Sequence, residues 1–549
     1  MNTGRSARTA PVGEQTFVNP ILPGGYPDPS ICRVGEDYYL VNSSFEYVPG
    51  LPLHHSRDLV NWELVGYGLH RKDQCTGPVN LLDVQTRGGI HAPTLRFHEG
   101  LFYLISTNVY APRGENQPAQ FVNFILTAEQ IAGPWSDPHV LWDAPGIDPD
   151  IFFDDDGSVW YVGTHTPEQP NFAGEGEIWL QELDLDAWAL TGERYYLWRG
   201  ACGGAWVEGP HLYKRNGRYY LLVAEGGTGF NHAVMVAASD TITGPYRSNP
   251  RNPILSSRHL SYDYWVHSTG HGDLVELPDG RWYMVALGMR GDEERRSNMG
   301  RETHLIPVIW ERDPGTLCDW PVCAPQTGRV ERINPLPLPG TRQHRQTAFY
   351  DDFDAAELDL AWNFRRAPLP GSYDLSAREG HLRLFANPEV IQERGRYSFV
   401  GFRQQESDFE YAALLRFPLK TAGFEAGIVL LQQDDAYLSY TLRRETDRAV
   451  LRLVLAEQGR SPCVLEHAVL SGACDAIIVR VVSKDRRYRY TYSLDGGARY
   501  RSFAETAANS ILSYGYTGAY LGLYATSNGA PVRAYADFDW VRYQGFPRL

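Results

Sequence analysis

The sequence predicts an all-β protein in which a five-bladed β-propeller is followed by a β-sandwich. Three observations carry this prediction. Short runs of Val, Ile, Tyr and Trp bounded by Gly, Asp, Asn and Pro dominate the chain, and helical periodicity is weak throughout. One hairpin motif recurs five times before residue 320. A stretch rich in Pro and Arg then precedes a region of alternating strands that lacks this repeat.

The repeat is a Gly- or Asp-containing turn followed by an aromatic-rich strand. Asp-Gly and Asn-Gly turns between apolar runs are strong hairpin signals. A unit of roughly 60 residues with several short strands fits one blade of a propeller. We therefore expect five blades within residues 17–323. The tyrosines of the motif lie 64, 58, 59 and 63 residues apart, at Tyr39, Tyr103, Tyr161, Tyr220 and Tyr283.

The chain after the propeller divides into two parts. Residues 324–346 contain APQTGRVERINPLPLPGTRQHRQ, whose Pro and Arg content predicts a linker. Residues 347–549 contain alternating runs such as AYLSYTLRR and AVLRLVLA. Antiparallel signals of this kind, without the propeller repeat, predict a β-sandwich.

Composition narrows the class of protein. The net charge of −15 argues against a nucleic-acid surface. No apolar run reaches the roughly 18 residues of a membrane span, and the N-terminal residues lack the apolar core of a secretory signal. The cysteines are odd in number, scattered and without a CxxC pair, which favours reduced thiols in a cytoplasmic protein. They are Cys32, Cys75, Cys202, Cys318, Cys323, Cys463 and Cys474.

An ionisable residue occupies an equivalent place in all five units. In four units it lies nine residues before the turn glycine, and in the first unit, where the glycine is slightly shifted, it lies nine residues before Asp37. This place begins the strand that leads into the hairpin. Because the innermost strands of a propeller surround its central axis, equivalent side chains should converge on one pocket. Surface turns have no reason to repeat such a pattern in register. The five residues are Asp28, His91, Asp148, Glu208 and His271.

Three carboxylates in one pocket favour hydrolysis of a glycosidic bond. One acidic group must be protonated for the leaving oxygen, and another must be ionised to act on water or carbon. A third carboxylate raises the pKa of the acid by like-charge repulsion. Metal-dependent hydrolysis uses similar ligands, but no HExxH or DxDxDG motif is present. A sugar-binding propeller without catalysis is the other alternative, and it would favour one residue type in every blade.

The chain resembles glycoside hydrolase family 43, in particular its β-xylosidases with a C-terminal β-sandwich. The resemblance covers nearly the whole chain and implies a five-bladed propeller that cleaves with inversion. It also implies that a concanavalin-A-like, or jelly-roll, β-sandwich closes the active site. The segments that carry it are NPILPGGYPDPS, GGIHAPTLRFHEG, GIDPDIFFDDDG, EGPHLYKRNG, TGHGDLVE and MGRETHLIPVIWE.

The resemblance assigns a role to each of the three carboxylates. Asp28 corresponds to the general base that activates water, and Glu208 corresponds to the general acid. Asp148 corresponds to the third carboxylate, which tunes and positions the acid. Inversion requires room for a water molecule, so the carboxyl groups of Asp28 and Glu208 should lie about 6.5–9.5 Å apart.

The same resemblance identifies candidates for substrate and metal binding. Arg301 corresponds to an arginine that binds sugar hydroxyls in the non-reducing-end subsite, and Phe45 corresponds to the apolar wall beside that sugar. Tyr516, in YGYTGAYLG, is the candidate for an aromatic side chain inserted from the sandwich, with an ordinary core tyrosine as the alternative. His271 corresponds to an axial histidine that helps some members hold calcium through water. No cofactor is expected to be required, and calcium is an optional ion.

His91 is a departure from the family pattern, because typical β-xylosidases of this type have Trp at its place. A smaller and polar ring leaves the choice of sugar open. We expect an exo-acting, inverting hydrolase that releases terminal β-D-xylose from xylo-oligosaccharides. α-L-Arabinofuranosidase activity, alone or as dual activity on arabinoxylan fragments, is the alternative. A dimer or tetramer that acts in the cytoplasm on imported oligosaccharides is expected.

Overall fold

A computed structural model describes residues 15–114, 117–291, 294–416, 422–446, 448–470, 476–512, 516–531 and 534–548. These residues form two domains built from strands. The described part of the chain contains no α-helix, and its 3-10 helices are Asp73–Cys75 and Ala508–Ile511. Within the same residues, no helix has the length and apolar character needed to cross a membrane.

The first domain is a propeller of five antiparallel blades. Strands β1 to β6 are Thr16–Val18, Ser30–Val34, Asp37–Val41, Tyr47–Val48, Gly50–Ser56 and Glu63–Leu69. Strands β7 to β10 are Gly89–His98, Leu101–Tyr110, Gln120–Ala128 and His139–Leu141. Strands β11 to β14 are Ile147–Phe153, Val159–His165, Glu177–Asp184 and Ala189–Trp198. Strands β15 to β19 are Glu208–Arg215, Arg218–Glu225, Ala233–Ser239, Arg247–Ser248 and Leu255–Ser256. Strands β20 to β23 are His267–Glu276, Trp282–Met289, Glu302–Asp313 and Cys318–Cys323.

Each blade is a sheet of strands in consecutive order. The orders are β2-β3-β5-β6, β7-β8-β9-β10, β11-β12-β13-β14, β15-β16-β17-β18 and β20-β21-β22-β23. In every blade the repeated tyrosine lies on the second strand, which pairs with the innermost one. The innermost strands β2, β7, β11, β15 and β20 contact one another around the axis. The predicted five-bladed propeller is therefore confirmed, and the repeat marks the inner hairpin of each blade.

Apolar side chains of neighbouring blades pack face to face. Leu53 of the first blade shares one core with Leu104 and Leu126 of the second blade, and all three are fully buried. Strands buried on both faces give the near-continuous apolar runs that stand out in the sequence. This packing holds the innermost strands at fixed positions around the axis.

The second domain is a sandwich of two large antiparallel sheets. Strands β24 to β29 are Ile333–Pro335, Ala348–Asp351, Asn363–Arg365, Tyr373–Asp374, Leu382–Phe385 and Ser398–Arg403. Strands β30 to β34 are Phe409–Arg416, Glu425–Gln433, Ala436–Arg444, Ala449–Ala456 and Cys463–Leu470. Strands β35 to β39 are Ala476–Lys484, Arg487–Ser493, Arg501–Ala507, Tyr520–Thr526 and Tyr535–Gly545. One sheet has the order β27-β28-β39-β30-β35-β36-β37, with β25 on β39. The other has the order β34-β33-β32-β31-β38-β29-β26-β4.

Two strand pairs tie parts of the chain that are far apart in sequence. Strand β4 lies between strands of the first blade in sequence, but it pairs with β26 and completes the edge of a sandwich sheet. Strand β24 lies within residues 324–346 and pairs with β1 at the start of the propeller. The segment between the domains is therefore packed against the propeller, and the propeller supplies one strand to the sandwich.

Six of the seven cysteines lie in the described residues, and all six are free thiols. Cys75, Cys318 and Cys323 are buried. Cys474 lies outside the described residues. Burial raises the pKa of the thiols of Cys75 and Cys323 to about 12, so these side chains behave as small core residues.

Candidate active site

The five residues of the predicted constellation lie at equivalent places on the innermost strands. Asp28 lies two residues before the start of β2, and the other four lie on β7, β11, β15 and β20. These four strands each carry a register shift beside the constellation residue, at His91/Thr94, Ile147/Asp150, Glu208/His211 and His267/Gly272. Irregular pairing of this kind bends a strand and redirects a side chain. The structure thus places all five residues at one end of the axis.

The backbone at this end of the axis adopts left-handed conformations that non-glycine residues rarely use. The φ angles are 50° at Asp28, 56° at Asp148 and 45° at His271. Phe45 and Tyr516 also have positive φ, at 50° and 58°. Such conformations cost on the order of 1–3 kcal/mol each and cluster at functional sites. Their presence at several residues of one pocket shows that its geometry is held against local preference.

Asp28 is a buried carboxylate held in place by hydrogen bonds. The Ser43 hydroxyl donates to Asp28 Oδ2 at 2.6 Å. Arg301 donates from Nη1 to Oδ1 at 2.9 Å and from Nη2 to Oδ2 at 3.3 Å. Burial opposes ionisation of Asp28, but the guanidinium of Arg301 and the Ser43 hydroxyl outweigh it and lower its pKa. Asp28 is therefore an anion with a fixed orientation at neutral pH.

Glu208 and Asp148 form a carboxyl pair with raised pKa values. Burial and the negative charge of Asp28 raise the pKa of Glu208 to about 7. Burial and the charges of Glu208 and Asp28 raise the pKa of Asp148 well above its ordinary value. The backbone N–H of Gly209 donates to Asp148 Oδ2 at 3.0 Å and favours the Asp148 anion. The pair consequently retains a proton near neutral pH, which the two coupled carboxyl groups share.

Arg301 links the base, a neighbouring loop and the sandwich domain. Besides its two bonds to Asp28, Nη1 donates to Thr228 Oγ1 at 2.9 Å. Its Nε donates to the backbone carbonyl of Tyr516 at 3.3 Å. Arg301 is only 5% exposed, so a group that reads as a surface charge in the sequence is buried at the centre of the site.

Phe45, His91 and Tyr516 form an aromatic wall beside Arg301. The rings of Phe45 and His91 meet edge to face with centroids 4.8 Å apart, and the Phe45 and Tyr516 centroids are 5.7 Å apart. The Arg301 guanidinium lies 5.4 Å from the Phe45 ring and 5.2 Å from the Tyr516 ring. Tyr516 belongs to the sandwich half of the chain, so the second domain contributes directly to the pocket.

His91 keeps a hydrogen-bond acceptor on its ring. Its Nε2 lies 3.1 Å from the backbone carbonyl of Arg87. A carbonyl only accepts, so Nε2 carries the proton and Nδ1 is left as an acceptor. Burial lowers the pKa of His91 to about 4, and the ring is neutral at physiological pH. A tryptophan would offer only an N–H donor and a larger face.

His271 lies beside Asp28, with Nδ1 3.9 Å from Asp28 Oδ1. Burial lowers its pKa to about 4, so the imidazole is neutral. Its ring packs on the backbone of Gly209, where a Cβ would lie 2.9 Å from the His271 Cε1 atom. Because Gly209 also has a φ of 59°, only glycine satisfies both demands at this position.

The axis near His271 does not fit a calcium ion. Calcium takes roughly 6–8 oxygen ligands. Among the described residues, no group of three or more His, Cys, Asp or Glu side chains is arranged to hold a metal. The Arg96 guanidinium occupies the axis instead, 2.9 Å from Asp150 Oδ2 and 3.1 Å from Asp273 Oδ2. It also lies 3.1 Å from Nδ1 of His211, whose ring neighbours His271 at 6.4 Å. A guanidinium thus neutralises the axial carboxylates.

Sequence reasoning missed two polar residues of the site. Ser43 bonds to Asp28, and Thr228 bonds to Arg301. Both follow the second strand of a blade, β3 and β16 respectively. A second strand runs antiparallel to the innermost one, so it ends where the innermost strand begins. Polar residues just after the repeated aromatic strands could therefore have been predicted to lie at the site.

Comparison with known protein families gives two matches. Residues 17–316 match the family described as glycosyl hydrolases family 43. Residues 350–544 match the beta xylosidase C-terminal concanavalin A-like domain. The second match confirms the concanavalin-A-like class predicted for the sandwich. Together the two matches cover both domains.

Individual relatives match over almost their entire length. A xylosidase/arabinosidase of Butyrivibrio fibrisolvens is 38% identical over 538 residues, covering 95% of this chain and 98% of the relative. Xylosidase/arabinosidase 43B of Humicola insolens is 46% identical, and the match covers 96% of this chain and 97% of that relative. The crystal structure of xylan beta-1,4-xylosidase from Bacillus halodurans C-125 superposes with a TM-score of 0.87 at 32% identity, covering 96% of this chain and 100% of that one.

Proposed function

The chain belongs to glycosyl hydrolase family 43 and is a glycosidase, and from this premise we propose that it removes terminal β-D-xylose from xylo-oligosaccharides by inverting hydrolysis. One observation carries the proposal. A carboxylate with a lowered pKa, Asp28, shares a buried pocket with a carboxyl pair that retains a proton, Asp148 and Glu208. Inverting hydrolysis requires these two protonation states together.

The reaction is a single displacement. Asp28 accepts a proton from a water molecule as the water oxygen attacks the anomeric carbon of the terminal sugar. Glu208 donates its proton to the glycosidic oxygen as the bond from that oxygen to the anomeric carbon breaks. The products are a sugar with inverted anomeric configuration and a shortened oligosaccharide. The low pKa of Asp28 and the raised pKa of Glu208 support this division of roles.

Asp148 is proposed to position the acid and keep its proton available. The bond from the Gly209 N–H to Asp148 ties this carboxylate to the residue that follows Glu208 in sequence. The negative charge of Asp148 stabilises the protonated form of the neighbouring carboxyl group. Asp148 therefore has no need to contact the bond that breaks.

Arg301, Phe45, His91, His271 and Tyr516 are proposed to bind the terminal sugar. Arg301 can donate to hydroxyl groups while it orients Asp28, and the aromatic wall faces the apolar side of the ring. Contact between Arg301 and the sandwich residue Tyr516 supports a pocket closed by the second domain. A pocket closed at one end accepts a chain end and releases one sugar at a time.

α-L-Arabinofuranosidase activity is the second candidate, and His91 is the observation that favours it. The Nδ1 acceptor of His91 suits a hydroxyl group better than a pyranose face, and two relatives carry the name xylosidase/arabinosidase. The test compares kcat/KM on p-nitrophenyl β-D-xylopyranoside and α-L-arabinofuranoside. A faster reaction on the xyloside supports the first candidate, and a faster reaction on the arabinofuranoside supports the second. Sugar binding without hydrolysis of either would indicate a binding propeller.

The Glu208→Gln variant tests the proposed acid. Xylobiose needs proton donation to its leaving oxygen, whereas an activated aryl leaving group needs it much less. We expect kcat on xylobiose to fall by roughly 10²–10⁴-fold, with a smaller fall on an aryl xyloside of low leaving-group pKa. Glu276→Gln is the matched control, since Glu276 is exposed on the same kind of innermost strand. Normal hydrolysis of xylobiose by Glu208→Gln would exclude Glu208 as the acid.

A cytoplasmic location and a homo-oligomeric state complete the proposal. Free buried thiols at Cys75, Cys318 and Cys323 support a reducing compartment. Cell fractionation tests the location, and light scattering tests for the dimer or tetramer.

A further inference from the structure

Trp206 is a tryptophan that stands in solvent beside the proposed acid. Its side chain is 53% exposed, although large aromatic residues are usually well buried. Its backbone has a φ of 58°, a conformation unfavourable for a bulky residue. An exposed indole held at this energetic cost needs a reason beyond packing.

Two glycines hold the indole of Trp206 in a fixed position. A Cβ at Gly174 would lie 2.9 Å from Cζ2 of the indole, and a Cβ at Gly227 would lie 2.4 Å from its Cδ1. The ring therefore rests directly on the backbone at both positions. The backbone N–H of Trp206 also donates to the backbone carbonyl of Gly174 at 2.7 Å. This support orders the ring and leaves about half of the side chain accessible.

The position of Trp206 in the chain indicates that it lies on the side of the site where the leaving group departs. Trp206 lies two residues before Glu208 in sequence. Gly227 is followed by Thr228, which accepts a hydrogen bond from Arg301. The indole is therefore close in sequence to the proposed acid, and it packs on Gly227, next to the residue that bonds to Arg301. The acid acts on the glycosidic oxygen, so the departing part of the substrate extends from Glu208.

We propose that Trp206 is the stacking platform for the second sugar of the substrate, the one that leaves. The inference rests on the proposed hydrolysis of xylo-oligosaccharides. The exposed indole offers a flat apolar surface to the C–H groups of a pyranose ring, and the two glycines keep that surface ordered before the substrate binds. Trp206 then determines preference for substrates with a sugar leaving group, while the terminal sugar is recognised by the Arg301 side of the pocket.

Binding measurements with a catalytically disabled protein test this role. In a Glu208→Gln background, titration calorimetry gives the affinities for xylose and xylobiose. Adding Trp206→Ala should weaken xylobiose binding about tenfold, the equivalent of one well-made aromatic contact, and leave xylose binding unchanged. Trp206→Phe should retain most of the xylobiose affinity. Trp142→Ala is the control, because Trp142 is 74% exposed and lies at the end of β10, outside the constellation.

The outcomes separate this inference from the proposed function. Unchanged xylobiose affinity in the Trp206→Ala variant would overturn the platform, and so would equal losses for xylose and xylobiose. If Trp142→Ala weakened xylobiose binding as much as Trp206→Ala does, a specific role of Trp206 would also be excluded. If the background protein bound neither sugar while arabinose bound, the xylosidase proposal itself would fail.

Discussion

Asp28 and Glu208 carry the same functional group and differ because of what surrounds them. Arg301 and Ser43 donate three hydrogen bonds to Asp28, which stabilise its anion. Among the described residues, no hydrogen bond to the Glu208 carboxyl group offsets its burial, and the negative charge of Asp28 raises its pKa further. The five-fold register of the sequence located both residues. Their difference in pKa depends on Arg301, which lies 273 residues from Asp28 in the chain and gives no local signal.

The pH dependence of hydrolysis follows from these two groups. Glu208 must be protonated to donate, so kcat/KM on xylobiose should fall tenfold per pH unit above about 7. Asp28 must be ionised, so activity should fall only at pH values below the ordinary range of an aspartate. A pH profile of kcat/KM measures both limbs. Full activity at pH 9 would contradict the acid assignment.

Replacing Arg301 with methionine should move both limbs of that profile in one direction. The guanidinium lowers the pKa of Asp28 and of Glu208, so its removal raises both. The acid limb and the alkaline limb should therefore shift to higher pH, with a general fall in kcat/KM from lost substrate contacts. Arg33→Met is the control, since Arg33 is exposed and its guanidinium donates to the turn carbonyl of Gly35. Unmoved limbs would show that Arg301 does not set the charge state of the pocket.

At the scale of elements, the innermost strands are regular until they reach the site. Within these strands, register shifts and positive φ angles occur at or beside the constellation residues, while the strand pairing toward the hairpin turn is regular. The hairpin turns carry Asp-Gly and Asn-Gly signals and could be predicted. The irregular strand starts could not, because tertiary packing imposes them against local preference.

Substitution of Gly209 tests whether the irregular backbone at the start of an innermost strand is needed for the reaction. Gly209→Ala would place a Cβ against the His271 ring and strain a φ of 59°. Displacement of Glu208 and of the bond to Asp148 should lower kcat on the order of 100-fold. Gly217→Ala is the matched control, since Gly217 has a φ of 74° but open space around it. It should cost only about 1–2 kcal/mol of stability.

Steady-state kinetics and thermal unfolding distinguish the two glycine variants. A Gly209→Ala enzyme with normal kcat would show that the close contact with His271 has no bearing on the reaction. Equal loss of activity in Gly217→Ala would point to a general effect of destabilised blades.

At the scale of the whole molecule, a buried ionic junction joins the two domains around Arg365. Arg365 of the sandwich lies 2.7 Å from Glu46 of the propeller and 2.6 Å from Asp434. Glu46 follows Phe45, whose ring lines the pocket. Arg365 lies far from Glu46 in the sequence and 69 residues from Asp434, so sequence patterns predicted each domain but not this junction. The contact between Tyr516 and Arg301 also joins residues far apart in sequence, and only the family resemblance identified both as site candidates.

Breaking this junction should weaken both stability and substrate binding. Arg365→Met leaves Glu46 and Asp434 buried with less compensation, which should cost about 3–5 kcal/mol. KM should rise because Phe45 loses its fixed neighbour. Arg460→Met is the control, since the exposed pair of Arg460 with Glu457 is expected to contribute about 0–1 kcal/mol. Denaturant unfolding and KM measurements check both effects, and an unchanged midpoint for Arg365→Met would contradict them.

A single displacement by water held at Asp28, with proton donation from Glu208, is tested most directly by the configuration of the first sugar released. Proton NMR during hydrolysis of p-nitrophenyl β-D-xylopyranoside distinguishes α-xylose from β-xylose before mutarotation mixes them. We predict that α-xylose appears first and that β-xylose follows only at the rate of mutarotation. Immediate release of β-xylose would contradict the single displacement and the role of Asp28 as base.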